Sequence, residues 1–203
     1  MKVLLINGSP HEKGCTYTAL SLIAGELKAQ GIETEILHVG GQPVGGCIAC
    51  RSGNGCVFGG VVNEAIEKAK TADAFVFGSP VHYASAAGNM ASFMDRLAYA
   101  GGKYLAYKPA AVCCSARRAG TTSTLDQLVK YPQFFHMPLV NGSYWAMVHG
   151  SNPEQVLQDA EGCAVMQELG RNMAWLLRCI EAGKAAGIDH PQNPPRPMTN
   201  FIR

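Results

Sequence analysis

The sequence lacks the features of several protein classes. It has no run of lysine or arginine and its formal net charge is only +2, so it offers no basic patch that would bind nucleic acid or an anionic membrane. No hydrophobic run approaches the length of a membrane span, and the first apolar run ends at Asn7, too early for a secretory signal. We therefore predict a cytoplasmic protein with small-molecule partners and with neither a nucleic-acid nor a membrane partner.

Internal repeats and domain linkers are missing as well. The 203 residues are 47% hydrophobic, which is enough for one core of ordinary size, and we predict a single folded domain over residues 1–187. The remaining residues, 188–203, are rich in proline and can form neither a regular helix nor a central strand. This C-terminal tail is predicted either to wrap a partner subunit or to be loose.

A polar turn with two glycines follows the first apolar run. Residues 8–16 read GSPHEKGCT, and a helical pattern begins directly after them. A strand that passes through such a turn into a helix leaves unpaired backbone N–H groups at the helix start, where the helix dipole adds partial positive charge. The turn matches neither G-x-G-x-x-G nor G-x-x-x-x-G-K-[ST]. It predicts a site for a monophosphate rather than for a nucleoside triphosphate, and helix capping alone is the alternative.

Apolar strands alternate with helical patterns along the chain. The predicted strands are Lys2–Asn7, Glu33–Val39, Ala74–Gly78, Ala110–Ser115 and Leu139–Val148, and the predicted helices are Thr16–Gln30, Val61–Lys70, Ala86–Tyr99, one from near Thr121, and one from Pro153 to about Ala186. This alternation predicts an α/β fold, a parallel five-stranded sheet with helices on both faces. Such sheets bind ligands beyond the carboxyl ends of their strands, so loops 8–16, 79–89 and 115–120 are predicted to be neighbours.

Five segments in this order resemble one known family. They are GSPHEKGCTYTAL, SPVHYASAAGNMASFMDRL, SARRAGTTSTLDQL, YWAMVHG and EGCAVMQELGRNMAWLL, which together span most of the chain. They are similar to segments of the flavodoxin-like NADPH-dependent FMN reductases, near the branch that includes the iron-sulfur flavoproteins. The resemblance implies a flavodoxin-like doubly wound fold, FMN as the cofactor and NAD(P)H as the hydride donor.

The resemblance also implies a set of cofactor-binding residues. Those around the FMN phosphate would be Ser9, His11, Lys13, Cys15, Thr16 and Tyr17, those bordering the isoalloxazine ring Pro80, Val81, His82 and Tyr83, and those along its pyrimidine edge Ser115, Arg117, Arg118 and Gly120. Two positions depart from the family pattern, because the resemblance leads us to expect a basic residue at His11 and asparagine at Cys15. The phosphate site is therefore expected to be less positive than is usual in the family.

No catalytic side chain is predicted, because the flavin carries the chemistry and the protein supplies orientation and electrostatics. A guanidinium near N1 of the ring would favour the anionic reduced form, and Arg117 is the candidate. A solvated loop cation, or a contact to the phosphate of the nicotinamide cofactor, explains Arg117 equally well, and Arg118 could exchange roles with it. His82 and Tyr83 are expected to stack on the flavin or line the substrate slot, and packing against the next helix is their alternative.

Eight cysteines without an export signal predict reduced thiols rather than disulfides. Cys47, Cys50 and Cys56 lie in a long glycine-rich loop, where the iron-sulfur flavoproteins carry a four-cysteine cluster motif, but the residue three before Cys47 is Val44. We predict no metal, and the loop has three interpretations: a structural remnant, redox-active thiols, or a metal or cluster site. Four of the remaining five are predicted to be small core residues: Cys113, Cys114, Cys163 and Cys179.

The leading functional prediction is an FMN-containing oxidoreductase that takes hydride from NAD(P)H and reduces a quinone, a free flavin or another small planar acceptor. One alternative is a flavodoxin-like or iron-sulfur flavoprotein-type electron carrier, although such carriers are typically acidic and the sequence pI is about 8.1. Another is a non-enzymatic redox sensor that uses FMN or the cysteine loop. The family resemblance and the long apolar-faced C-terminal helix also predict a homodimer or homotetramer.

Overall fold

The computed structural model of this chain describes residues 1–50 and 52–201. Strands and helices alternate from the first residue onward. The strands are β1 (Lys2–Asn7), β2 (Glu33–His38), β3 (Ala74–His82), β4 (Ser85–Ala86), β5 (Ala110–Ala116) and β6 (Met147–His149), and the helices are α1 (Cys15–Ala29), α2 (Val61–Thr71), α3 (Gly88–Gly101), α4 (Thr121–Phe134), α5 (Pro153–Val156) and α6 (Ala160–Ala185). A short 3-10 turn at 102–104 follows α3.

The sheet has the strand order β2-β1-β3-β5-β6, and these five strands are parallel. β4 is a two-residue strand that pairs antiparallel with the end of β3. The predicted flavodoxin-like doubly wound sheet is therefore confirmed, with a sixth, very short strand in addition to the five predicted. The order reverses at β1, so the loops after β1 and β3 flank the switch point at which such sheets bind ligands.

Two hydrophobic clusters cover the two faces of the sheet, because successive residues of a buried strand point to opposite faces. Leu4 and Ile6 of β1 pack with α2 and α3, while Val3 and Leu5 pack with α1 and α6. α1 and α6 lie directly against each other. Gly170 of α6 permits this approach, since a Cβ there would lie 2.8 Å from the carbonyl oxygen of Ile23.

Two predicted elements are interrupted in the structure. The predicted strand 139–148 makes only an isolated bridge at Leu139, leaves the sheet, and returns as β6. The predicted helix from Pro153 is divided into α5 and α6, because the carboxylate of Asp159 accepts a hydrogen bond from the N–H of Gly162 and caps a new helix. Hydrophobic spacing continues across this break, which is why the periodicity did not reveal it.

The C-terminal tail begins at a helix cap, where Gly187 has a φ of +79° and the N–H of Ile188 donates to the carbonyl of Gly183. Beyond it, the ring of His190 stacks on Tyr107 with centroids 4.4 Å apart, and Asn193 donates to the Tyr107 hydroxyl at 2.6 Å. Tyr107 precedes β5, so this part of the tail lies at the amino ends of the strands. No helix in the described residues is long and apolar enough to span a membrane.

The cysteines outside the glycine-rich loop only partly follow the prediction of small core residues. Cys113 and Cys114 are buried in β5, and burial raises the pKa of the Cys114 thiol to about 12. Cys163 is half-buried. Cys179 is exposed on α6, so its assignment to the core was wrong. Helical spacing alone did not distinguish the outer face of this long helix from its inner face.

Candidate functional site

The loop between β1 and α1 is shaped by the buried side chain of Asn7. Its Oδ1 accepts from the N–H of Ser9 at 3.1 Å, and its Nδ2 donates to the carbonyl of Glu12 at 2.9 Å. The hydroxyl of Ser9 in turn accepts from the N–H of His11 at 3.1 Å. Asn7 ends a buried strand and is fully enclosed. These bonds fix the loop from within, and they leave His11 and Lys13 exposed.

The start of α1 offers backbone donors to a ligand. Gly14 is the N-cap and provides no side-chain cap. Among the described residues, no acceptor of another residue is bonded to the N–H groups of Cys15, Thr16 or Tyr17. Three adjacent N–H groups and the positive end of the helix dipole therefore meet at this point, next to exposed Lys13. The predicted phosphate-binding residues are thus grouped around one helix start.

The β3–β4 hairpin brings two residues to its tip in an unusual backbone conformation. Tyr83 and Ala84 form the two-residue turn with φ values of +50° and +59°, the region that type I′ turns require and that Asn-Gly normally occupies. The side chain of Tyr83 is fully exposed. The neighbouring α4 holds this tip, because the hydroxyl of Ser123 donates to the carbonyl of Ala84 at 2.5 Å.

Gly120 allows the hairpin and the β5–α4 loop to meet. It is the N-cap of α4 with a φ of +97°, and a Cβ at this position would lie 2.6 Å from the Cα of Ala84. Arg117 and Arg118, on the same loop, are exposed. Any side chain at position 120 would therefore push the loop away from the hairpin tip.

Side-chain bonds join the loops across the sheet edge. The buried hydroxyls of Thr16 and Ser115 lie 2.8 Å apart, connecting α1 to the end of β5. The Cys15 thiol donates to the carbonyl of Gly150, just beyond β6, at 3.6 Å. Partial burial raises the pKa of the Cys15 thiol, so the thiol is neutral at neutral pH and places no negative charge beside the helix start.

The predicted site residues therefore fall into two groups at one edge of the sheet. Ser9, Thr16 and Ser115 are buried and hold the loops in place. The others present side chains or backbone to the surface, either exposed or half-buried: His11, Lys13, Cys15, Tyr17, Pro80, Val81, His82, Tyr83, Arg117, Arg118 and Gly120.

The predicted cysteine loop is not assembled as a metal centre. Cys47 is half-buried, Cys50 is exposed and Cys56 is buried. Within the described residues, no three His, Cys, Asp or Glu side chains come together in a way that could hold a metal ion. The Cys56 sulfur instead accepts a hydrogen bond from the buried Arg96 of α3 at 3.1 Å.

Several residues that organise this edge were not predicted. Asn7 and Arg96 are buried polar residues, Asn89 binds the loop after β2, and Gln127 accepts from the N–H of Ala86 at 2.9 Å. The only local signal was at Asn7, a polar residue that ends an apolar strand directly before Gly-Ser. The other three act across 37 or more residues of sequence, so no local pattern marks them.

A family model described as NADPH-dependent FMN reductase matches residues 1–152 of this chain. These residues include all the loops described above. The chain belongs to this family.

The chain is also similar in sequence to two iron-sulfur flavoproteins. One, from Methanocaldococcus jannaschii, is 27% identical over 192 residues, which are 89% of this chain and 100% of the relative. One from Archaeoglobus fulgidus is 36% identical over 99 residues, or 47% of this chain and 48% of that relative. Among solved structures, RosB with bound 8-demethyl-8-formylriboflavin-5'-phosphate superposes with a TM-score of 0.68 at 14% identity, covering 100% of this chain and 94% of that chain. This last likeness supports the fold alone.

The family implies FMN, and the residues at this edge fit it. Three unbonded N–H groups beside an exposed lysine suit a phosphate monoester. The strained hairpin tip and the exposed arginine loop leave backbone and side-chain groups turned to the surface at the same edge, where a ring system with a polar rim needs them. The neutral Cys15 thiol places no negative charge at the helix start.

Proposed function

We propose that this chain is an FMN-dependent oxidoreductase that takes hydride from NAD(P)H and reduces a small planar acceptor such as a quinone or a flavin. The observation that carries the proposal is the helix start of α1, where three unbonded N–H groups stand beside Lys13 and next to the loops after β3 and β5. Membership of the FMN reductase family supports the cofactor, and the family name supports the donor.

Lys13 and the backbone of residues 15–17 would hold the FMN phosphate. Lys13 is exposed and makes no ion pair among the described residues, so its charge is available to a dianion. The N–H groups of residues 15–17 are already oriented by α1, which means that binding requires little rearrangement. The hydroxyls of Thr16 and Ser115 are bonded to each other and would act by fixing this backbone.

The hairpin tip and the arginine loop would hold the ring. Bound FMN would supply a ring that accepts and releases hydride. The chain would contribute the backbone of Tyr83 and Ala84, fixed by Ser123, and the guanidinium of Arg117 or Arg118 as a positive group near the polar rim. The fully exposed ring of Tyr83 would offer a flat surface on which a second planar molecule can lie.

A second candidate function is electron transfer to a protein partner. The names of the relatives, iron-sulfur flavoproteins, favour it. The sequence pI of about 8.1 argues against it, because carriers of the flavodoxin type are usually acidic.

An anaerobic absorption spectrum before and after addition of NADPH or NADH tests the proposal. We expect flavin bands that bleach on addition and return with a quinone. Flavin bands that neither nucleotide bleaches would overturn the reductase and favour the carrier. A chain that binds no FMN on reconstitution would overturn both.

A variant tests the phosphate site separately. We expect Lys13→Gln to weaken FMN binding about tenfold, the equivalent of about 1.4 kcal/mol for one charged hydrogen bond, and to leave riboflavin binding unchanged because riboflavin has no phosphate. Lys28→Gln, at the far end of α1, is the matched control. Equal effects of Lys13→Gln on both ligands would place the phosphate elsewhere.

A further inference from the structure

Two side chains of α3 hold the segment that carries Cys47, Cys50 and Cys56. Asn89 binds its first part, donating to the carbonyls of Gly40 and Gln42 at 3.2 and 3.1 Å and accepting from the N–H of Val44 at 3.3 Å. Arg96, two helical turns later on the same face of α3, binds Gly45, Cys56 and Gly59. The segment is thus attached to α3 at its two limbs, residues 40–45 and 56–59.

The guanidinium of Arg96 connects both limbs of this segment. It donates to the carbonyl of Gly45 at 3.5 Å, to that of Gly59 at 3.3 Å, and to the sulfur of Cys56 at 3.1 Å. The ring of Phe58 covers it, with 5.0 Å between ring centroid and guanidinium carbon. Arg96 is only 6% exposed. A buried arginine side chain therefore joins the two limbs of the segment.

This buried cation has no carboxylate partner among the described residues. Its partners are two carbonyl oxygens and one sulfur, and a buried charge is costly unless such bonds satisfy it. Asn63 fixes that sulfur's residue in turn, accepting from the N–H of Cys56 at 2.8 Å and donating to its carbonyl at 3.0 Å. The position of Cys56 is accordingly set by its contacts with Arg96 and Asn63.

The thiols of the segment do not make the donor set of an iron-sulfur cluster. A cubane cluster held by protein alone takes four cysteine thiolates, and a structural zinc site also takes four ligands. The residue three before Cys47 is Val44, and the residue three after Cys50 is Gly53. A compact cluster motif therefore lacks one cysteine, whether it is aligned to begin at residue 44 or at residue 47. In the structure, the thiols of Cys47, Cys50 and Cys56 do not come together where they could hold one metal ion.

We propose that this segment is a cluster-free thiol site, in which the guanidinium of Arg96 connects the limbs that a metal cluster would otherwise connect and Cys56 is its sulfur partner. The chain thus departs from the relatives named iron-sulfur flavoproteins. Combined with the proposed function, this means that electrons leave from the flavin directly to a small acceptor. The cluster-free assignment itself does not depend on that function.

Measurement of iron and acid-labile sulfide tests the proposal. The protein is purified anaerobically and then reconstituted with ferrous iron and sulfide before the measurement. We expect the wild type and Cys56→Ser to carry the same substoichiometric iron and no reducible cluster signal by electron paramagnetic resonance. Val44→Cys and Gly53→Cys each supply a fourth thiol and serve as positive controls for the reconstitution. Iron and sulfide in the four-to-four ratio of a cubane cluster in the wild type, lost in Cys56→Ser, would overturn the proposal, whatever the flavin does with NADPH.

The role of Arg96 has its own readout, amide hydrogen exchange. We expect Arg96→Lys, which retains the charge but not the forked set of donors, to speed exchange across residues 45–59 about tenfold, or about 1.4 kcal/mol of local opening. Arg178→Lys is the matched control, since Arg178 is an exposed arginine that also donates to a carbonyl, that of Gln30. Unchanged exchange in Arg96→Lys would show that the guanidinium does not hold the segment.

Discussion

Cys15 and Ala84 each occupy a position where a different residue is expected. Cys15 stands where the family resemblance leads us to expect asparagine, and Ala84 stands in the second position of a type I′ turn, where glycine is preferred. Substitution at each position measures the energetic effect of the residue that is present.

Replacing Cys15 by asparagine is expected to tighten FMN binding. The Cys15 thiol is a weak donor and is already bonded to Gly150, whereas an amide would add a stronger donor without adding charge. We expect the Kd for FMN to fall three- to tenfold, about 1 kcal/mol, when it is measured by quenching of flavin fluorescence. Cys15→Ser is the control for size, and riboflavin affinity should not change. Weaker FMN binding by Cys15→Asn would contradict a phosphate at this helix start.

Replacing Ala84 by glycine is expected to stabilise the protein. Each non-glycine residue with positive φ costs on the order of 1 kcal/mol or more, and glycine removes that cost for a smaller loss in chain entropy. We expect a gain of up to about 1 kcal/mol, hence a Tm up to 2–4 °C higher by calorimetry. The opposite change, Gly120→Ala, should lower the Tm, because a Cβ there would meet the Cα of Ala84. A Tm for Ala84→Gly at or below that of the wild type would mean that the turn stores no strain.

Among the elements, β2 is the outermost strand at one side of the sheet, and ion pairs help to hold it against β1 and α2. Glu35 of β2 lies 2.7 Å from the Nζ of Lys68 on α2 and 2.9 Å from the Nζ of Lys2 on β1. The hydrogen bond from Lys68 is the main cause, and that from Lys2 the second, of a pKa of Glu35 below its ordinary value of 4.5. A carboxylate with a lowered pKa stabilises the fold above its ordinary pKa, and this contribution is lost as the pH falls through the lowered value.

Glu35→Gln is therefore expected to reduce the free energy of unfolding at neutral pH by less than about 1 kcal/mol, because the carboxylate is partly exposed to solvent. The difference from the wild type should disappear as the pH is lowered through the pKa of Glu35. Urea unfolding at a series of pH values measures it. Glu33→Gln, at a more exposed and more distant partner of Lys2, should have a smaller effect. A difference that persists in acid would attribute the loss to packing instead of charge.

Local sequence patterns predicted some elements and not others for identifiable reasons. β1 and α1 were predicted closely because their apolar residues repeat with the strand and helix periods. β4 was missed because its turn, Tyr83-Ala84, carries none of the usual turn residues. The turn between β1 and α1 was predictable because its determinants are adjacent in sequence. The bonds of Arg96 to Cys56 and of Thr16 to Ser115 join residues 40 and 99 positions apart, and only the assembled fold brings them together.

At the level of the whole molecule, the candidate site lies at the carboxyl ends of the parallel strands and the C-terminal tail lies at their amino ends. The described part of the tail contacts Tyr107 through His190 and Asn193 and contacts Phe134 through Arg196. A cavity of about 1250 Å³ lies at this edge, between the tail, the end of α6 and the residues that precede β3 and β5. The described part of the tail therefore covers surface that is remote from the loop between β1 and α1.

Ending the chain after Ile188 is expected to leave FMN affinity and NAD(P)H turnover within about twofold of the full-length values, because the described part of the tail makes no contact with the loops that follow β1, β3 and β5. It preserves the helix cap formed by Gly187 and Ile188. The Tm should fall slightly, since the ring contacts with Tyr107 and Phe134 are lost. Flavin titration and calorimetry measure the two effects. Loss of FMN binding in the shortened chain would mean that the tail reaches the site, for example in a neighbouring subunit.

The packing of α1 against α6 has a consequence for the order of events during synthesis on the ribosome. α1 is among the first elements to emerge, yet the face formed by Leu20, Ile23 and Leu27 shares its cluster with residues of α6, which is translated last among the described helices. Part of this apolar surface therefore stays exposed to solvent until nearly the whole domain has been synthesised. A nascent chain stalled before α6 would present the apolar face of α1 to chaperones.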